Sequence, residues 1–279
     1  MVKPLPTFLV IGAEKSGTTA LADALNRHES IHVPAEKELR FFSSHNWHRG
    51  LEWYSAQFTP DPGVTCIGEA SPAYTLFPVE PNVVGRVRTT LGDDIRFVYI
   101  VRNPVERLVS HYLHALTYGW VPSSVSVATA LEQSPLLLAA SMYHTQYQRY
   151  VDYYPATSVR VLLFEDMVDE GAVPRDLLTF LGVGECDVPV EPANVTTDRG
   201  GLPGRLARVK PLVRRAVPHR VRGELRAVSS RIERPLPDRD RVRQDVLGLG
   251  VLEVLRREAG DLGSAIGLDL VDRWKLGQP

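Results

Sequence analysis

The chain has 279 residues, with Lys+Arg 32 against Asp+Glu 33 and a formal net charge of -1. Hydrophobic residues make up 44% and charged residues 23%, enough to bury a full core in one large domain or two small ones. The charge balance excludes a generally basic nucleic-acid coat and an acidic solvating tail. Cys66 and Cys186 are too few for a disulfide framework or a cysteine-rich zinc site, and read as thiols of a reducing compartment. Nowhere do ~18 apolar residues follow one another, as a membrane span requires. The run Phe8-Leu9-Val10-Ile11 is too short for a signal-peptide core. The expectation is a soluble cytoplasmic protein.

Short apolar, β-rich runs alternate with helical patterns, which predicts an α/β fold with a parallel sheet. The first strand is expected at Phe8–Ile11, followed by a glycine-containing loop and a helix from about Thr18 to Asn26. Ile31–Val33 and Thr65–Gly68 predict two more strands, the latter running into Glu69. The strongest strand pattern is Ile95–Val101, which leads into Arg102-Asn103-Pro104. A helix follows from Val105 to about Tyr118, with Pro104 near its first turn, where a missing N–H is tolerated. Leu136–Tyr154 reads as a long helix stopped by Pro155, and Val159–Phe164 as a further strand with Glu165-Asp166 at its end. Val246–Ile266 reads as one helix whose start is weakened by Gly248 and Gly250. Residues 199–243 hold 14 Lys or Arg and only four acids, with apolar residues every three or four positions. That is an amphipathic helical period interrupted by Pro211 and Pro218.

Gly12-Ala13-Glu14-Lys15-Ser16-Gly17-Thr18-Thr19 joins the first strand to the first helix. Glycines let such a loop aim several N–H groups at an anion, and the helix dipole adds to them. The Gly-x4-Gly spacing matches the nucleotide-triphosphatase loop, but the lysine stands at 15 instead of after the second glycine. The loop therefore predicts a phosphate-like ligand approached by an ammonium from a different side. Arg102 ends the strongest strand and Ser110 lies about two turns into the next helix, where a second phosphate can be held. Arg107 between them is expected to be a surface cation.

Lys15-Ser16-Gly17-Thr18-Thr19 with Arg102-x7-Ser110 resembles the 5′-phosphosulfate loop and 3′-phosphate site of PAPS-dependent sulfotransferases. Within that family the chain is most similar to the heparan-sulfate N-/O-sulfotransferase-like branch, through Lys37-Glu38-Leu39-Arg40-Phe41-Phe42, His45–Tyr54, Gly68–Tyr74 and Met142–Gln146. Ala70 stands where the family has lysine, and the family's C-terminal phosphate loop has no clear counterpart in the arginine-rich stretch. The resemblance implies a P-loop-like three-layer fold over 1–279, a largely parallel central sheet flanked by helices. It implies PAPS as sulfuryl donor, no metal, and a carbohydrate or small-molecule acceptor. Lys15 is implied at the bridging oxygen of PAPS and the transferring group, and Glu38 as the base for the acceptor, with Glu36 a competing carboxylate.

His114 is implied at the acceptor, a role set against that of a core or solvated histidine. Glu69 either orients the base or only ends a strand, and Tyr74 and Tyr143 either line an acceptor groove or belong to the core. His45, His48, Trp47 and Trp53 are candidates for the groove wall, and adenine for a place near Trp53 or in the C-terminal loop. The 199–243 segment has three readings: a solvated helical surface, a closure over PAPS through Arg199 or Arg205, or a contact with an anionic membrane or polyanionic acceptor. Two rival functions stand beside the transferase: a P-loop kinase or NTPase using ATP and magnesium, and a non-catalytic anion- or membrane-binding module.

Overall fold

The computed structural model describes residues 4–36, 38–191 and 236–277. Five strands, β1 (Phe8–Gly12), β2 (Ile31–His32), β3 (Cys66–Ala70), β4 (Arg96–Val101) and β5 (Val159–Leu163), form a sheet in the order β2-β3-β1-β4-β5. Every pairing is parallel. Helices α1 (Thr18–Leu25), α2 (Gly50–Ser55), α3 (Val83–Leu91), α4 (Pro104–Tyr118), α5 (Val127–Gln133) and α6 (Pro135–Ala139) belong to the first half. They are followed by α7 (Tyr143–Val151), α8 (Phe164–Glu170), α9 (Arg175–Leu181), α10 (Arg239–Leu247), α11 (Val251–Ile266) and α12 (Leu270–Arg273).

The chain forms two compact units. The first comprises Met1–Pro104, Ala139–Ala193 and Leu255–Pro279, and the second Val105–Leu138 and Asn194–Val254. The sheet belongs to the first. A parallel sheet is covered on both faces, so its strands read as continuous apolar runs, and all five residues of β1 are buried. Phe8, Val10, Val98 and Ile100 pack on one face with Leu21 and Leu25 of α1 and Leu177 and Leu178 of α9. On the other face Phe97 meets Tyr150 of α7 edge-on at 4.8 Å, and Tyr99 meets Tyr143 at 6.2 Å. The expected three layers are present. In β3, Gly68 lets the Phe8 ring lie directly over the strand, a place that any Cβ would occupy. With β1 between β3 and β4, the carboxyl ends of these strands border the crevice where open α/β sheets bind ligands.

In the second unit, Glu106 takes Arg239 at 2.7 Å and Arg243 at 2.9 Å. Arg107 is not a surface cation. It is fully buried, with its guanidinium donating to the Leu137 carbonyl and to His111 Nδ1 at 3.0 Å. A guanidinium only donates, so His111 keeps its proton on Nε2.

Three predicted elements differ from the structure. The 136–154 pattern is two helices, α6 and α7, because the chain turns at Ser141, whose buried hydroxyl donates to the Pro104 carbonyl. The 246–266 pattern is likewise α10 and α11, interrupted between Leu247 and Val251, the stretch that holds Gly248 and Gly250. Strand β5 stops at Leu163, so Glu165 and Asp166 sit in the first turn of α8, where carboxylates suit the helix dipole. Of the arginine-rich stretch, residues 199–235 lie outside the described residues and Arg239–Arg243 begin α10. No helix among the described residues is long and apolar enough to cross a membrane.

Candidate active site

Between β1 and α1 the backbone turns through two left-handed residues, Lys15 at φ 68° and Gly17 at φ 86°. Such turns gather successive N–H groups toward one point, an anion-binding nest. The Ser16 N–H closes the turn on the Ala13 carbonyl at 3.2 Å, and the Ala13 N–H ties it to Ile100 of β4 at 2.7 Å. Gly17 caps α1 without any side-chain acceptor, which leaves the first-turn N–H groups to a ligand. Glycine is required there twice over: by its φ, and because a Cβ would lie 2.8 Å from the Phe164 ring. The Ser16 hydroxyl is fully buried and has no hydrogen-bond partner. Leaving such a group unpaired costs ~1–3 kcal/mol, a loss that a phosphate or sulfonate oxygen would recover. Thr18 is buried and Thr19 half-buried at the start of α1. The loop fits a phosphate-like anion.

Arg102 stands at the carboxyl end of β4, against this loop. Its guanidinium donates to the Lys15 carbonyl at 3.4 Å and lies 4.7 Å from the centre of the same Phe164 ring that packs on Gly17. Its backbone is gripped by the Tyr143 hydroxyl, which accepts from the Arg102 N–H at 3.4 Å and donates to its carbonyl at 2.8 Å. Tyr143 is thus a core residue that fixes a strand end. Asn103 is anchored in turn, its N–H to Glu165 at 2.8 Å and its amide to the Trp274 carbonyl at 3.2 Å. Ser110 and His114 lie on α4 in the second unit. Ser110 is buried there, and His114 packs on Tyr118 at 4.4 Å and Trp120 at 5.2 Å.

Glu38 lies past the carboxyl end of β3, where its N–H donates to the Ala70 carbonyl at 3.2 Å. Its backbone is left-handed, φ 56°, as is that of Arg40, φ 48°. The Glu38 carboxylate accepts from Arg40 Nη2 at 2.6 Å and Nε at 3.2 Å. Glu38, Glu36 and Asp23 line a cavity of about 260 Å³ together with Thr18 and Thr19 of α1; Lys15 is not among its lining residues. Glu69 also lines this cavity; it is 1% exposed and accepts from three hydroxyls, those of Tyr54, Ser71 and Tyr74. Burial pushes the Glu69 carboxyl up from its ordinary pKa, and the three donors oppose that rise. Trp47 packs on Phe41 at 5.2 Å, and Arg49 covers Trp53 at 3.9 Å. Among the described residues no group of three His, Cys, Asp or Glu is placed to hold a metal ion.

The structure therefore brings Lys15, Ser16, Gly17, Thr18, Thr19 and Arg102 together, with Glu38 beside the start of α1. Arg40 as the partner of Glu38, Phe164 as the support of Arg102, and Tyr54 and Ser71 on Glu69 were not foreseen. Arg40 and Ser71, each two residues from its partner, left a sequence signal, whereas Phe164 and Tyr54 arrive from distant elements.

Residues 5–188 match the Sulfotransferase domain family, and the chain belongs to that family. It is 29% identical over 201 residues to the bifunctional heparan sulfate N-deacetylase/N-sulfotransferase 2 of Mus musculus, covering 64% of this chain and 22% of that protein. It is 28% identical over 187 residues to the human heparan sulfate glucosamine 3-O-sulfotransferase 5, covering 61% of this chain and 51% of that protein. The chain thus spans about a fifth to a half of the length of these curated relatives. A crystal structure of a sulfotransferase from Alicyclobacillus acidocaldarius shares the fold, with a TM-score of 0.67 at 24% identity, over 98% of this chain and 99% of that one.

Proposed function

We propose that this chain transfers a sulfuryl group from PAPS to a hydroxyl or amino group of a saccharide acceptor, releasing adenosine 3′,5′-bisphosphate. The observation that carries this reading is the contact of Arg102 with the Lys15 loop, which sets two anion-binding elements side by side. A donor with separate 5′-phosphosulfate and 3′-phosphate groups matches that pair. When bound, PAPS supplies an activated sulfuryl group whose bond to the bridging oxygen breaks as the bond to the acceptor forms.

The chain's own residues then do three things. The loop amides, Ser16, Thr18 and Thr19 hold the 5′ end, while Arg102 serves the 3′-phosphate. The Lys15 ammonium counters the charge that grows on the leaving oxygen. Glu38 takes the acceptor proton. The acidic lining contributed by Asp23, Glu36 and Glu38 supports an acceptor that is a polyol or an amine, and the relatives' names point to a saccharide. Lysine before Gly17, instead of after it, argues against a kinase.

Arg102→Ala weakens adenosine 3′,5′-bisphosphate far more than adenosine 5′-phosphate, because only the former carries a 3′-phosphate; titration calorimetry with both nucleotides reads the difference. Equal losses for the two would remove Arg102 from that role. The loop lysine and amides supply the positive field that magnesium supplies in kinases, so a chelator leaves turnover unchanged. Activity lost to the chelator and restored by magnesium would revive the kinase reading. PAPS-dependent labelling of a source extract, with identification of the labelled product, tests the acceptor class.

A further inference from the structure

We infer that Glu69 is the positioning residue for Glu38: through two hydroxyls it holds the backbone that presents the base. This rests on the function proposed above. Glu69 Oε1 accepts from Ser71 Oγ at 2.5 Å and Tyr74 Oη at 2.9 Å, and Oε2 accepts from Tyr54 Oη at 2.6 Å. Each of the three hydroxyls donates its single proton to Glu69 and so turns its lone pairs outward. Those lone pairs receive the Glu38–Phe42 segment. The Arg40 N–H donates to Ser71 Oγ at 2.9 Å, and the Phe42 N–H donates to Tyr74 Oη at 3.2 Å.

With the Glu38 N–H on the Ala70 carbonyl, the N–H groups of residues 38, 40 and 42 are all fixed. The segment needs such fixing. Left-handed backbone at a non-glycine residue is costly and persists only where its surroundings over-determine it, and both Glu38 and Arg40 adopt it. The Phe41 ring stacks on Tyr54 at 4.2 Å and 8°, which packs the segment against the tyrosine that donates to Glu69. Two of the three backbone anchors thus depend on the polarity of one buried acceptor. Glutamine at 69 keeps the volume but turns one acceptor oxygen into a donor, so one hydroxyl has to accept there and direct its proton elsewhere.

Hydrogen exchange of the full chain tests this without any acceptor. In Glu69→Gln the Arg40 and Phe42 amides exchange about 10-fold or more faster, as expected for loosened local structure, while the Val10 and Ile100 amides keep their protection. Unchanged exchange at Arg40 and Phe42 overturns the proposal. Should Glu69→Gln fail to fold, Ser71→Ala removes the acceptor of the Arg40 N–H alone, and faster exchange at Arg40 only is then expected. Kinetics give the second readout: Glu69→Gln lowers kcat, leaves the bisphosphate Kd unchanged, and has no further effect in a Glu38→Gln background. Independent losses that multiply in the double variant would show a general structural effect and overturn the proposal. Failure of the parent chain to bind the bisphosphate would instead sink the proposed function, and the exchange experiment would still decide the role of Glu69 in the scaffold.

Discussion

Lys15→Ala lowers turnover by about 10²–10³-fold, the usual effect of removing a preorganised charge that faces the transition state. It also weakens adenosine 3′,5′-bisphosphate, because the ammonium belongs to the loop to which we assign the 5′ end. The backbone does not confound the comparison. Lysine and alanine are both strained at φ 68°, so the substitution neither adds nor relieves that strain. Lys15→Gly relieves it, yet still lacks the ammonium and shows the same loss of rate. Lys15→Arg restores little, since a planar guanidinium does not replace a compact ammonium as a point charge. Steady-state kinetics of the three variants, with calorimetric binding of the bisphosphate, check these outcomes. Full turnover in Lys15→Gly would assign the charge stabilisation to Arg102 and the loop amides alone.

Glu38→Gln lowers kcat by ~10²–10⁴-fold, the range expected when a general base is removed, and leaves bisphosphate affinity nearly intact. Glutamine has the reach of glutamate and meets the left-handed backbone equally well, so what disappears is proton acceptance. The variant loses the ion pair with Arg40, but that pair is well exposed, at 34% and 40% for the two side chains, and such pairs contribute about 0–1 kcal/mol. The fold is therefore retained, and melting temperature together with kcat separates the two effects. Glu36→Gln stays within a few-fold of the parent by contrast, although Glu36 lines the same cavity. A dead Glu36→Gln beside an active Glu38→Gln would transfer the role of base to Glu36. If both are active, either His114 is the base or the acceptor is an amine already neutral at the working pH.

The sequence alone determined the parts that depend on near neighbours. The continuous apolar runs at Phe8–Ile11 and Phe97–Val101 correspond to β1 and β4, because strands buried on both faces have no polar register to hide. The loop from Gly12 to Thr19 is recognisable because its left-handed turns rest on glycines and backbone amides only a few residues apart. Arg102 is recognisable because it directly follows its strand.

What the tertiary structure decided depends on partners far apart in the chain. Leu138, Met142 and Tyr150 keep helical spacing across Ser141, yet the helix breaks there, because the Ser141 hydroxyl and the Tyr143 hydroxyl bond to the Pro104 and Arg102 carbonyls at the end of β4. Arg107 is buried because the Leu137 carbonyl, 30 residues away, satisfies its guanidinium. Glu69 ends a strand in the sequence, and in three dimensions it collects hydroxyls from residues 54, 71 and 74. Periodicity encodes which side of an element is apolar. Which polar atoms meet once those sides are buried is set by packing, and packing placed Glu38 on a strained backbone held from beneath.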